Sequence, residues 1–233
     1  MKNILVLCLN LDARRDRWVK CEREFLNLKI SARRVRAVSR DEIPPLKQTA
    51  DQHFFRAVSA CKVTHLKALG EFLSSSCEYA LILEDDFLVA KFARRHFSKQ
   101  LEIFVAKMKS NNTDFLQIGY LPKGVSKGIF RFSPLRASFL ILHLINRSYC
   151  LRLLYRQNFY TNLRFGSHAY IVNRIGAKYI IQNLRTDSKT PYDCALIEFL
   201  QKTEAASAKI SFSRTKFAFV DQITNSVSDI QAP

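Results

Sequence analysis

Glycine and proline are scarce in this chain, 6 of each among 233 residues, which excludes a collagen-like or low-complexity polymer. With 48% hydrophobic residues, one globular domain with a sizeable core is expected. The six cysteines, Cys8, Cys21, Cys61, Cys77, Cys150 and Cys194, include no C-x-x-C pair. A structural zinc site is therefore not expected, and buried free thiols in a reducing cytoplasm are. No apolar run approaches the roughly 20 residues that a membrane-spanning helix needs. In the opening MKNILVLCLNLDARRD charge arrives by Asp12 with no small-residue cleavage site before it, so the segment reads as a strand and not as a signal peptide. A soluble or peripheral protein is the expectation.

The most informative shortage is of negative charge. The chain carries a formal charge of +17, and no carboxylate lies between Asp114 and Asp187, whereas eleven Lys and Arg residues fall there, from Lys123 to Arg185. Something anionic is the expected partner of that region; nucleic acid, an acidic membrane surface and a phosphorylated glycan all qualify.

Hydrophobic periodicity predicts alternating strands and helices through the first half. KNILVLCLNL is apolar enough to be a strand buried on both faces. Asp12 stands where an N-cap would, before a helix carrying Trp18, Phe25 and Leu28. ISARRVRAV reads as a second strand, DEIPPLKQTADQ as loop, and HFFRAVSACKVTHLKALGEFLSS as helical over its second half. A strand YALILEDDFLV follows, then a helix from about His96 to Lys109 and a strand DFLQIGY. Beyond Tyr120 the pattern loosens. SFLILHLINRSYCLRLLYRQNFY is either a core helix or an amphipathic element with Arg147, Arg152 and Arg156 among Leu and Tyr. GSHAYIVNRIGAKYIIQNL reads as strand, turn and helix, TPYDCALIEFLQ as a further helix, and KFAFVDQITNSVSDIQAP as a polar, loosely packed end.

ALILEDDFLV raises the functional question, because an apolar strand ends in three carboxylates, Glu84, Asp85 and Asp86. In open α/β sheets ligands bind beyond the carboxyl ends of the strands. Two adjacent carboxylates there can hold a divalent cation, which can in turn clamp a diphosphate. The plainer alternative is that Asp85 or Asp86 caps a following helix.

The triplet has company. LNLDARRDRW, ACKVTHLKAL, LILEDD, GSHAYIVNRIGAK, TPYDCAL and QITNSVSDI, in that order from about Leu7 to Ile230, resemble the family 25 glycosyltransferases, the bacterial lipopolysaccharide-biosynthesis enzymes and related collagen galactosyltransferase domains. The resemblance implies an α/β fold of GT-A type, with a central mostly parallel sheet flanked by helices, and a nucleotide-sugar donor, commonly UDP-galactose. It further implies a single domain over 1–233, with a nucleotide-sugar-binding half over about 1–120 and an acceptor half and tail over about 121–233. Asp85 and Asp86 would face a divalent cation, Mn²⁺ or Mg²⁺. Asn10, Leu11, Asp12 and Arg15 match the segment expected to touch the nucleotide, and His65, Glu84, Gly166, Tyr170 and Gln222 are further donor-site candidates. Two departures stand out: Ala60 lies where the family usually has Gly, and Gly166-Ser167 where it usually has Thr or Gly ahead of His-Ala-Tyr.

For the inverting reaction that the resemblance implies, a carboxylate or His must take the acceptor proton. Asp193 in TPYDCAL is the first candidate and His168 the second. Each has a structural counterpart: Asp193 as an acidic residue early in a helix, His168 and His65 as hydrogen-bonded core. The expected acceptor is a lipopolysaccharide or other glycan, reached from the cytoplasm at the inner face of an anionic membrane. Leu140, Ile141, Leu144 and Leu151 would add apolar insertion if they share a helix face. A basic nucleic-acid-binding protein and an inactive glycosyltransferase-like protein are the competing readings. No nucleic-acid-binding signature stands in the sequence to favour the first of them.

Overall fold

The first strand sets the architecture. A computed structural model of the chain describes residues 3–45, 51–89, 91–119, 159–160, 166, 168–186, 190–205, 210–215 and 220–222. Strand β1 (Ile4–Asn10) lies between β2 (Arg33–Arg36) and β3 (Tyr79–Glu84), parallel to both. A strand with partners on both edges and helices on both faces has no wet side, hence ILVLCLN without alternation.

The sheet order is β2-β1-β3-β7-β5-β8-β6, where β5 is Phe115–Gly119, β6 Phe159–Tyr160, β7 Ala169–Asn173 and β8 Phe212–Thr215. Off this path, β4 (Phe87–Val89) pairs antiparallel with β9 (Val220–Gln222), which also pairs with β5. Six of the nine described strands run one way; β4, β6 and β7 oppose them. The expected α/β architecture, a mostly parallel sheet flanked by helices, is present.

Successive side chains along each strand divide between two cores. On one face Val6, Cys8, Leu81 and Leu83 pack with helices α1 (Arg15–Leu28) and α4 (Phe97–Ser110). On the other, Leu7, Leu9, Ala80 and Ile82 pack with α2 (Gln52–Leu73), α5 (Arg174–Asn183) and α6 (Tyr192–Ala205). A one-turn helix α3 (Lys91–Arg94) precedes α4. Among the described residues no helix is long and apolar enough to cross a membrane. Cys8 and Cys21 are buried and free, and Cys61, Cys77 and Cys194 are free and partly exposed, while Cys150 lies outside the described residues.

Four expectations need correction. Asp12 does not cap α1: its carboxylate takes Arg34 and Arg36 at 2.8 Å each, and two charge-assisted bonds prevail over one cap bond. Helix α2 is helical from Gln52 onward, because Asp51 accepts a hydrogen bond from the Phe54 amide at 3.0 Å and caps it. YALILEDDFLV is two strands, broken at a turn through Asp85 and Asp86. Within KFAFVDQITNSVSDIQAP, expected as a loosely packed end, Val220–Gln222 is a strand of the sheet, paired with β4 and β5. The stretch from Leu140 to Arg156 lies outside the described residues.

At Gly119, strand β5 passes close to β7. A Cβ there would meet Ala169 Cβ and His168 Cδ2 at 2.8 Å each, and the Ala169 atom has no rotamer by which to retreat. Gly119→Ala is expected to lower stability by about 1–3 kcal/mol, read as a shift in the urea midpoint. An unchanged midpoint would show that β5 and β7 can move apart without cost.

Candidate functional site

A cavity of about 300 Å³ opens at the carboxyl ends of β1 and β3. Leu9, Asn10 and Leu11 form one side, Glu84, Asp85 and Asp86 the floor, residues 37–41 after β2 a second side, and α2 the wall. The wall is built of small residues, Ala57, Ala60 and Cys61, which keep the space open. Thr64 fixes the wall to the loop: its hydroxyl donates to the Ala60 carbonyl at 2.8 Å and accepts from the Val38 amide at 2.9 Å.

The acidic turn is held from behind. Asp85 Oδ1 accepts from Arg17 Nη1 at 2.8 Å and Oδ2 from Asn10 Nδ2 at 2.7 Å. Arg17 Nη1 is also 3.9 Å from Asp86 Oδ2. Arg17 is 6% exposed and Asp86 7%, so these charges meet where water screens them little. The Cys21 thiol donates to the Asp85 carbonyl at 3.2 Å. Asn10 is tied in turn, its Oδ1 accepting from Arg34 Nε at 2.8 Å.

Glu84 faces the cavity beside His65, whose Nε2 is 3.4 Å from Glu84 Oε1. Behind His65 lies a buried aromatic stack. Its Nδ1 is 3.1 Å from the Tyr170 hydroxyl, which is 3.1 Å from that of Tyr192. The imidazole lies nearly flat on the Tyr192 ring, centroids 3.9 Å apart and 7° between planes. Burial pushes both phenols well above their ordinary pKa, so both keep their protons as hydrogen-bond donors. Burial, and then the charges of Glu84 and Asp193, likewise pushes up the Cys61 thiol in the wall.

The remaining candidates fall into two groups. Asp193, in the first turn of α6, accepts from the Gly166 amide at 2.9 Å through Oδ2, and Gly166, at φ 99, passes its carbonyl to Gln117 Nε2 at 2.6 Å. Tyr192 thus contacts His65 while its neighbour Asp193 anchors the segment before β7. Gln222 sits opposite Phe87 in the β4–β9 pair, adjacent in the fold to the acidic turn. Like Asp193 and Gly166, His168 is no part of the cavity lining; it is 1% exposed, and its Nε2 donates to the Val220 carbonyl at 3.3 Å. Asp12 and Arg15 are exposed and outside the cavity lining.

Arg17, Ser39, Arg40, Asp41 and Tyr192 escaped the sequence reading. Only Arg17 carried a usable signal: it heads the buried stripe Arg17, Cys21, Phe25 and Leu28 of α1, and a charge on an apolar stripe implies a buried counter-charge.

The family model described as glycosyltransferase family 25 (LPS biosynthesis protein) matches residues 1–196. No curated protein resembles the sequence closely enough to count as a match. Among solved structures the chain is similar to a glycosyltransferase involved in glycosylation of the major capsid of PBCV-1, at 12% identity, covering 98% of both chains with a TM-score of 0.45. It is similar to A197 from STIV at 10% identity, covering 94% of this chain and 83% of that one with a TM-score of 0.43. A third similarity is to S. aureus TarS 1-349 in complex with UDP-GlcNAc, at 10% identity, covering 99% of this chain and 61% of that one with a TM-score of 0.46.

Proposed function

The chain belongs to glycosyltransferase family 25, and from that premise we propose that it is an inverting hexosyltransferase of GT-A type that moves galactose from UDP-galactose to a lipopolysaccharide or lipooligosaccharide acceptor. The observation that carries the reading is the convergence of Asn10 and Leu11 with Glu84, Asp85 and Asp86 on one cavity at the carboxyl ends of parallel strands. That is where α/β sheets bind ligands.

The donor set suits a divalent cation held jointly with substrate. No group of three or more His, Cys, Asp or Glu that could enclose an ion occurs among the described residues. Mg²⁺-like ions are commonly held by one or two carboxylates plus substrate phosphates. Asp86 and Asp85 would hold it, and when bound it would offset negative charge on the departing diphosphate. Asp193 takes the acceptor proton in this reading, with Gly166 keeping its carboxylate oriented. His65 positions Glu84, and the cavity wall of α2 excludes water.

The acceptor, a phosphorylated glycolipid, brings the enzyme to the cytoplasmic face of a membrane. Each Lys or Arg near an anionic surface contributes about 1 kcal/mol to docking, so several of those in the carboxylate-free region would suffice for reversible docking. The test is product formation from a panel of UDP-hexoses and lipooligosaccharide, with Mn²⁺ or excess chelator, with and without vesicles containing anionic lipid. Galactose transfer that chelator abolishes is expected, with salt-sensitive vesicle binding that weakens when Arg147, Arg152 and Arg156 become Gln. Preference for another UDP-hexose would overturn the donor, full turnover in chelator the cation, and indifference to vesicles at low salt the membrane contact.

A further inference from the structure

We propose that Arg17 is a standing counter-ion for the acidic turn, which holds Asp85 and Asp86 in place while the cavity is empty of substrate and keeps their affinity for a divalent cation low until the donor diphosphate arrives. The inference rests on the reading of this cavity as a donor site.

Three observations carry it. Arg17 is 6% exposed, yet it sits at the head of the apolar stripe of α1, a place that a guanidinium occupies at the expense of its hydration. It lies 2.8 Å from Asp85 Oδ1 and 3.9 Å from Asp86 Oδ2, so a single cation faces both carboxylates. Its partner is also fixed from the other side, because Asn10 holds the second Asp85 oxygen at 2.7 Å and is itself held by Arg34. The geometry is braced before any ligand enters.

Two adjacent carboxylates, one buried and one half-buried, repel one another, and either a guanidinium or a metal ion can relieve that repulsion. Here the guanidinium does so permanently and engages an oxygen of Asp85 that a metal ion would otherwise use. The lone cation therefore gains little from this turn by itself. A diphosphate supplies the missing ligands, so cation and donor bind synergistically, each raising the affinity for the other by the same factor. Arg17 is in this sense a positioning residue.

The experiment measures Mn²⁺ affinity of the full chain by titration calorimetry, with and without UDP, in the wild type and in Arg17→Met, Arg17→Gln and Arg17→Lys. Folding of each is checked by circular dichroism. In the absence of UDP, the neutral variants are expected to bind Mn²⁺ about tenfold or more tightly than the wild type, the order of effect that one nearby charge has on an ionic equilibrium at a carboxylate. Arg17→Lys is expected to stay near the wild type, and the gain from UDP to shrink in the neutral variants. Gln retains a hydrogen-bonding head and serves if Met prevents folding. If a folded neutral variant binds Mn²⁺ no better than the wild type, while UDP still promotes binding to the wild type, the counter-ion role fails and the donor site stands. If Mn²⁺ does not bind the wild type even with UDP, the cation reading and this inference fall together.

Discussion

Asp86→Asn is expected to reduce sugar transfer by about 100- to 1000-fold, the size of effect seen when a single preorganised group that stabilises developing charge is removed. The substitution keeps the shape of the side chain and removes only its charge. Arg17 retains its 2.8 Å bond to Asp85, so the fold should persist, with the far-ultraviolet spectrum unchanged and cooperative melting preserved. Initial rates with saturating donor and acceptor decide the matter. Activity within a few-fold of the wild type would remove Asp86 from the reacting centre and leave it as support for the turn between β3 and β4.

The second large effect concerns proton removal. Asp193→Asn should depress turnover by about 100- to 10,000-fold, the usual contribution of a general base, with the Michaelis constant for the donor little changed, because the proton moves only in the transition state. The comparison is interpretable because of what the carboxylate already does. Its oxygens accept from the Gly166 and Cys194 amides at 2.9 and 2.8 Å, and each oxygen has a second lone pair for a proton. Asn keeps one amide acceptor and loses the basicity. Asp193→Ala loses the anchor for Gly166 as well, and should therefore raise the Michaelis constant in addition. Unchanged turnover in the Asn variant would pass the role to another group, Glu198 further along α6 being the next carboxylate.

The site was legible in the sequence where a local pattern forced it and illegible where partners came from afar. LILEDD announced itself because three carboxylates at a buried strand end conflict with their neighbourhood, and β1 was plain from its apolar run. Asp12 misled: an acidic residue before a helical pattern predicts a cap, and nothing local reveals that Arg34 and Arg36, on the adjacent strand, will claim it. Asp41 read only as the start of a loop, and Ser39 and Arg40 fell between the expected elements, since their place in the cavity depends on how Thr64 draws α2 against the segment before them. His65 and His168 carried the same signal, one histidine each inside a matching motif. Register separates them: Tyr170 and Glu84 meet His65 at the cavity, whereas the tight passage at Gly119 turns His168 toward the carbonyl of Val220.

The pairing of β9 with β4 has a consequence for how the protein is made. Phe87, the residue after the acidic turn, is bonded to a strand that ends at Gln222, and most of the chain separates the two. During synthesis the turn leaves the ribosome long before its edge is covered, and it must wait with β4 unpaired. Contacts of such sequence separation are slow to close, and an uncovered strand edge invites pairing with another chain. The nascent enzyme is accordingly exposed to aggregation until β9 emerges, which makes chaperone engagement most valuable before that point.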